Sequence, residues 1–251
     1  MTLQRYFINR EDWTEGSVLI KGEDAHHILR VMRYTVGDQI ICNQPEGKAA
    51  VCVISETEKN KVVAKIENDL HVSTELPVHV TIAQGLPKGD KIDLILQKGT
   101  ELGAHAFIPF QAERSVVVWD DKKIEKKLKR FRKIIKEASE QSQRNMLPEV
   151  TAPMDLQDLI EESKTYQVKI FAYEEEAKVG DPHSFGEKVK KLVEGDRVLL
   201  AVGPEGGFSR KEASLLQEQG FQPVRLGPRI LRTETAPLYA LASISYHFEE
   251  S

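Results

Sequence analysis

The chain of 251 residues holds two cysteines, Cys42 and Cys52, and no run of apolar residues that approaches a membrane span. Neither cysteine has histidine partners at ligand spacing, so no zinc site is assembled, and both lie in alternating, strand-like runs that suit free, buried thiols. A helix needs about 20 apolar residues to cross a bilayer, and the start Met1-Thr2-Leu3-Gln4-Arg5 lacks a signal-type apolar region. Membrane residence is therefore excluded and the cytoplasm expected. Two nucleotide signatures are missing as well. Without G-x-x-x-x-G-K-[ST] there is no support for a magnesium-phosphate cradle, and no G-x-G-x-x-G follows the first strand, where a Rossmann domain would place it. There is no internal repeat and no low-complexity tract.

Positive charge is scarce in the total, which is −4, but not locally. Lys122, Lys123, Lys126, Lys127, Lys129, Arg130, Arg132, Lys133 and Lys136 are opposed within their own run by Glu125 alone. From Asp155 to Asp196, Glu174-Glu175-Glu176 and eight other acids face six lysines and mask that basic helix in the sum. An acidic total thus does not exclude an RNA partner. For the lysines by themselves a solvated helix face is the simpler reading.

The texture of the chain changes near residue 72. Before it, short alternating runs, Ser17 to Ile20, Gln39 to Cys42, Ala50 to Ile54 and Lys61 to Ile66, surround one helical segment from Asp24 to Arg33, as in a small barrel. After the linker His71-Val72-Ser73-Thr74-Glu75, strands alternate with helices. The strands are Val78 to Gln84, His105 to Pro109, Lys169 to Tyr173, Arg197 to Val202 and Pro223 to Leu226. The helices are Lys88 to Leu102, Lys122 to Gln143, Leu156 to Ser163, Glu187 to Val193, Arg210 to Gln219 and Glu234 to Phe248. That alternation predicts a mostly parallel sheet covered by helices, with ligands beyond the carboxyl ends of the strands.

Three such ends carry distinctive residues. One is Phe171-Ala172-Tyr173-Glu174. The second, Gly203-Pro204-Glu205-Gly206-Gly207-Phe208-Ser209, joins a strand to a helix, with Ser209 and Glu212 spaced as a capping box. Its glycines permit positive φ and bring bare N–H groups close to a ligand, or they serve only the geometry of a tight turn. The third is Leu226-Gly227-Pro228-Arg229-Ile230-Leu231-Arg232-Thr233-Glu234-Thr235-Ala236-Pro237, with Pro237 in the first turn of the last helix. Ile230 and Leu231 can wall an apolar pocket for an adenine ring. Arg232 and Glu234 place opposite charges at its mouth, or pair to tie the loop to the helix start.

The glycine loop, the segment Leu226-Gly227-x-Arg229-Ile230-Leu231-Arg232-x-Glu234-Thr235-Ala236 and Gln97-Lys98-x-x-Glu101-Leu102-Gly103 together resemble the RsmE family of RNA methyltransferases, over the whole chain. The family is similar to other SPOUT methyltransferases. The resemblance implies an α/β protein with an N-terminal PUA-like RNA-binding β-barrel (1–72) and a C-terminal SPOUT α/β methyltransferase domain (73–251), with a trefoil knot near 170–240 that no periodicity could reveal. It implies S-adenosylmethionine as cofactor, no metal, a homodimer whose site uses both subunits, and N3-methylation of a uridine in 16S rRNA of the small ribosomal subunit. Other readings are a ribosome-assembly factor that binds RNA without chemistry, and a methyltransferase acting on another RNA.

Carried onto this chain, the cofactor contacts are Ala172, Gly203, Gly206, Gly207, Leu226, Gly227, Ile230 and Leu231. A side chain at Gly206 is expected to fill ligand space. Arg232 and Glu234 are the catalytic pair: uridine N3 must lose its proton, so one group accepts it and a cation steadies the anion, or Glu234 only orients Arg232. Glu205 orients backbone or substrate, or holds its loop by accepting N–H bonds. For RNA, Arg5-Tyr6-Phe7 offers a cation beside stacking faces, Arg30 and Arg33 share a helix face, and Arg114, Arg132 and Arg144 extend a phosphate track. The target base must be exposed or flipped, because N3 is hidden in a base pair.

Overall fold

A computed structural model describes residues 3–117, 119, 121–173 and 185–250. The acidic tract Glu174-Glu175-Glu176 lies outside them. Two compact units emerge: Met1–Glu75 with Lys136–Leu147, and Leu76–Ile135 with Pro148–Ser251. The textural boundary near residue 72 did not include the returning segment Lys136–Leu147.

In the first unit five strands, β1 (Arg5–Phe7), β2 (Ser17–Lys21), β3 (Gln39–Asn43), β4 (Ala49–Glu58) and β5 (Lys61–Leu70), form one sheet in the order β1-β3-β4-β5-β2. Alternation along β2 and β4 sends Val18, Ile20, Ala50, Cys52 and Ile54 inward with Tyr6, Ile28, Ile40 and Cys42. Both cysteines are buried free thiols. Register shifts near Val51 and Ile54 bend the long β4/β5 pair. Helix α1 (Gly22–His26) runs into a π-wound turn, His27–Met32, which Arg33 ends at φ 58. Arg30 and Arg33 therefore do not share the face that an α-helix would give them.

The strand β1, not foreseen in the sequence, explains why Lys136–Leu147 belongs here. Glu140 Oε1 accepts the Phe7 N–H at 3.1 Å, and the carbonyls of Arg144 and Asn145 accept from Arg5 Nη1 at 3.1 Å and Asn43 Nδ2 at 3.0 Å. Donors of the edge strand and its neighbour, one backbone N–H and two side chains, thus find partners far along the chain.

The second unit is a six-stranded parallel sheet, β6 (His79–Gly85), β7 (Ala106–Phe110), β8 (Glu149–Val150), β9 (Val168–Ala172), β10 (Arg197–Val202) and β11 (Gln222–Val224), in the order β11-β9-β10-β6-β7-β8. Alternate residues of β10 enter opposite cores. Val198, Leu200 and Val202 meet helices α2 (Lys91–Glu101), α3 (Asp121–Gln141), α5 (Phe185–Val189) and α7 (Thr235–Glu249); Leu199 and Ala201 meet α4 (Leu156–Glu162) and α6 (Arg210–Glu218). Both faces are covered, so the strands read as continuous apolar runs. Because Val202 is level with Ala172 and Gln84, and Val224 with Ala172, four strand ends open at one height.

Candidate active site

A cavity of about 550 Å³ lies at those strand ends. Its floor is the glycine loop, whose shape is dictated by close backbone approach. A Cβ at Gly203 would lie 2.9 Å from the Gly207 carbonyl carbon, and one at Gly85 would lie 2.7 Å from Pro204. Gly207, at φ +65, closes a turn through its N–H to the Pro204 carbonyl at 2.8 Å. The capping box then starts α6: the Ser209 hydroxyl accepts the Glu212 N–H, and Glu212 Oε2 accepts the Ser209 N–H at 2.7 Å. Glu212 Oε1 also takes the Glu113 N–H, fixing the segment that carries Arg114.

Of the expected cofactor contacts, Ala172, Gly203, Gly206, Gly207, Leu226, Ile230 and Leu231 line the cavity, whereas Gly227 does not. At φ +80, Gly227 turns the chain instead. Gly206 needs a correction of direction. An added Cβ there meets Arg114 Cβ at 3.0 Å, so a larger residue first displaces Arg114, whose Nη1 donates to the Gly206 carbonyl at 2.9 Å.

Arg232 and Glu234 both line the cavity, but not as a mutual pair. Glu234 Oε2 lies 3.5 Å from Lys91 Nζ; it is buried and has no hydrogen-bond partner. Glu234 occupies the N-cap of α7 without using its side chain as a cap, and the Arg232 carbonyl takes the Thr235 and Ala236 N–H groups instead. The Arg232 guanidinium is exposed and makes no ion pair among the described residues. Between the two, Thr233 is buried, donating to the Gly203 carbonyl at 2.7 Å and linked to Gln84 Nε2 at 2.9 Å. This buried bond joins the last loop to the glycine loop.

Glu205 holds its loop. Its Oε1 accepts from Lys91 Nζ at 2.7 Å and from the Lys88 N–H at 3.1 Å. Burial pushes the Glu205 carboxyl upward, but these bonds outweigh it and leave it below the ordinary carboxylate range; the same bond raises Lys91. The pair is ionised at neutral pH.

The arginines proposed for RNA divide. Arg114 lines the cavity, Arg132 is exposed on α3, and Arg30 and Arg33 are exposed on the first unit. Arg5 and Arg144 are corrected. Arg5 is 6% exposed and bonds Asn43 Oδ1 at 3.0 Å; Arg144 is 4% exposed and ion-paired to Glu75. Tyr6 and Phe7 are buried too, leaving no face for base stacking. These side chains build the first unit's interior.

Lys91, Thr233 and Arg225 also line the cavity and were not singled out in the sequence, and Arg229 of the motif segment joins them. One signal was available for Lys91. A lysine at the first position of a helix stands at the wrong end of the dipole, and such a local conflict points to a partner elsewhere.

Residues 74–245 match the RNA methyltransferase domain family and residues 20–67 the RNA methyltransferase PUA domain family. The ribosomal RNA small subunit methyltransferase E of Bacillus subtilis (strain 168) is 49% identical over 250 residues, covering 98% of each chain. Its counterpart from Aquifex aeolicus (strain VF5) is 35% identical over 235 residues, covering 93% of this chain and 96% of its own. The crystal structure of a ribosomal RNA small subunit methyltransferase E from Neisseria gonorrhoeae, bound to S-adenosyl methionine, superposes with a TM-score of 0.85 at 30% identity, covering 98% of each chain.

Proposed function

Because this chain belongs to the RsmE family of small-subunit ribosomal RNA methyltransferases, we propose that it transfers a methyl group from S-adenosylmethionine to N3 of one uridine in 16S rRNA. The residues present fit that cofactor. The cavity volume is in the range of small-molecule sites, its walls include Ala172, Val202, Leu226 and Leu231, and the bare backbone of Gly203 to Gly207 offers polar groups at close range. When bound, S-adenosylmethionine supplies an electrophilic methyl group on a sulfonium and requires no metal.

The chain's own residues then handle the uridine. Glu234, whose carboxylate lines the cavity 3.5 Å from Lys91 Nζ, accepts the N3 proton. Arg232, exposed at the same cavity, steadies the negative charge that develops on the pyrimidine oxygens. A carboxylate and an exposed guanidinium that line one cavity without pairing with each other among the described residues form the observation that carries the reading. Arg114, Arg225 and Arg229 add positive charge at the mouth, suited to phosphates. Arg30, Arg33 and Arg132 serve the same RNA from their exposed positions.

Three further features belong to this reading. The first unit is an RNA-binding PUA barrel, supported by its bulged β4/β5 pair and single inward core. The chain near 170–240 threads a trefoil knot, supported by the passage of the 225–234 loop against the glycine loop through Thr233. Two copies form a homodimer in the cytoplasm, the pairing supported by α7, which is mostly apolar and leaves Tyr239 and Tyr246 exposed. Among the described residues no helix is long and apolar enough to cross a membrane.

The test is incubation with methyl-labelled S-adenosylmethionine and small subunits from a strain lacking the modification, followed by mass spectrometry of the rRNA. One fragment is expected to gain 3-methyluridine. Label on another nucleoside would assign a different target, and no transfer despite binding of both ligands would leave an assembly factor without chemistry.

A further inference from the structure

We propose that Lys91 is a positioning residue of this site: its ammonium, anchored by Glu205, holds the Glu234 carboxylate by charge, at a distance that leaves it able to receive a proton. The inference rests on the reading that Glu234 takes the N3 proton.

The geometry separates two kinds of contact. Lys91 Nζ is 2.7 Å from Glu205 Oε1, a full charge-assisted hydrogen bond, but 3.5 Å from Glu234 Oε2, where no hydrogen bond is made. Glu205 cannot follow Lys91 toward Glu234, because the same Oε1 is tied to the Lys88 N–H at 3.1 Å. The lysine is thus restrained at a distance from Glu234 that orients and attracts without saturating it. Both carboxylates are sheltered, with side-chain exposures of 30% for Glu205 and 15% for Glu234.

Three elements meet in this arrangement: the start of α2, the glycine loop and the start of α7. A cation at the first position of α2 opposes the helix dipole, so its own helix gives it no reason to be there. The two acids across the cavity supply that reason. A lysine fully bonded to Glu234 would compete with the substrate for the lone pair; a site without the lysine would leave Glu234 without the cation that stands 3.5 Å from its carboxylate. The other charged groups lining the cavity are Arg114, Arg225, Arg229 and Arg232.

The test compares the pH dependence of kcat in Lys91→Met and Glu205→Gln, with affinities for S-adenosylmethionine and for the small subunit measured in the same preparations. In Lys91→Met, kcat at neutral pH is expected to fall about tenfold and the acid limb to move up by about one pH unit, with both affinities within about twofold. In Glu205→Gln, which frees Lys91 to bond Glu234 directly, the acid limb is expected to move the other way. Acid limbs that stay in place in both variants, or loss confined to cofactor affinity, would overturn the proposal. If Lys91→Met does not fold, the direction of the Glu205→Gln shift decides alone. Full turnover in Glu234→Gln would instead show that the proton-acceptor reading itself has failed, independently of Lys91.

Discussion

At the scale of single residues, the site depends on a few atoms that cannot move. Gly203→Ala would press a methyl group against the Gly207 backbone at 2.9 Å, where no flexible side chain can give way. We expect at least a tenfold loss of S-adenosylmethionine affinity by calorimetry; unchanged affinity would show that the loop tolerates the shift. Arg232→Ala is expected to lower kcat by about 10² to 10³ with cofactor affinity nearly constant, the pattern of an interaction made in the transition state. Weakened cofactor binding alone would make Arg232 part of the pocket wall. Residue types in the sequence pointed to most of this cavity, because glycines and an Arg-x-Glu spacing after a strand carry chemistry by themselves. They misled at Arg5 and Arg144. Their partners Asn43 and Glu75 lie 38 and 69 residues away, and nothing local tells a buried arginine from a phosphate contact. Lys91 was passed over for the same reason: its acids arrive from other strand ends.

Elements were more legible than residues. The strand Arg197 to Val202 falls where its apolar run lies, and α6 begins at its capping box. Periodicity failed where winding changed, as at the π-wound turn that ends at Arg33. It also could not say that the end of α3 packs with the first unit. That placement has a measurable consequence at Glu140, whose carboxyl burial pushes from 4.5 to about 7 against the opposing pull of Lys136 and the Phe7 N–H. A carboxyl raised in the folded state stabilises fully below its ordinary range, and that contribution is lost as pH rises through about 7. Between pH 4.5 and 8, denaturant unfolding should therefore reveal a loss on the order of 3 kcal/mol from this group. Glu140→Gln, which keeps an acceptor for Phe7, should flatten that dependence; a slope that persists unchanged would assign it to other groups.

For the molecule as a whole, the change of texture along the chain marks where closely spaced strands give way to strand–helix alternation, but not the return of Lys136–Leu147 to the first unit. The pairing of copies and the threading of the chain proposed above leave no periodic signature either, since both are long-range properties. The outward face of α7 offers a direct probe of pairing. Tyr246, 65% exposed on an apolar helix, is expected to be covered by a second copy, so Tyr246→Glu should shift sedimentation from dimer to monomer. A monomeric wild-type protein would remove that reading.

Everything proposed for the site turns on methyl transfer to uridine N3 through Arg232 and Glu234. It is tested most directly by single-turnover reactions on unmodified small subunits, comparing the natural chain with Arg232→Ala and Glu234→Gln at saturating cofactor and reading 3-methyluridine by mass spectrometry. One 3-methyluridine per subunit is expected with the natural chain and strongly slowed formation in both variants, with RNA and cofactor still bound. Equal rates in all three proteins, or a methyl group on any other atom, would contradict it.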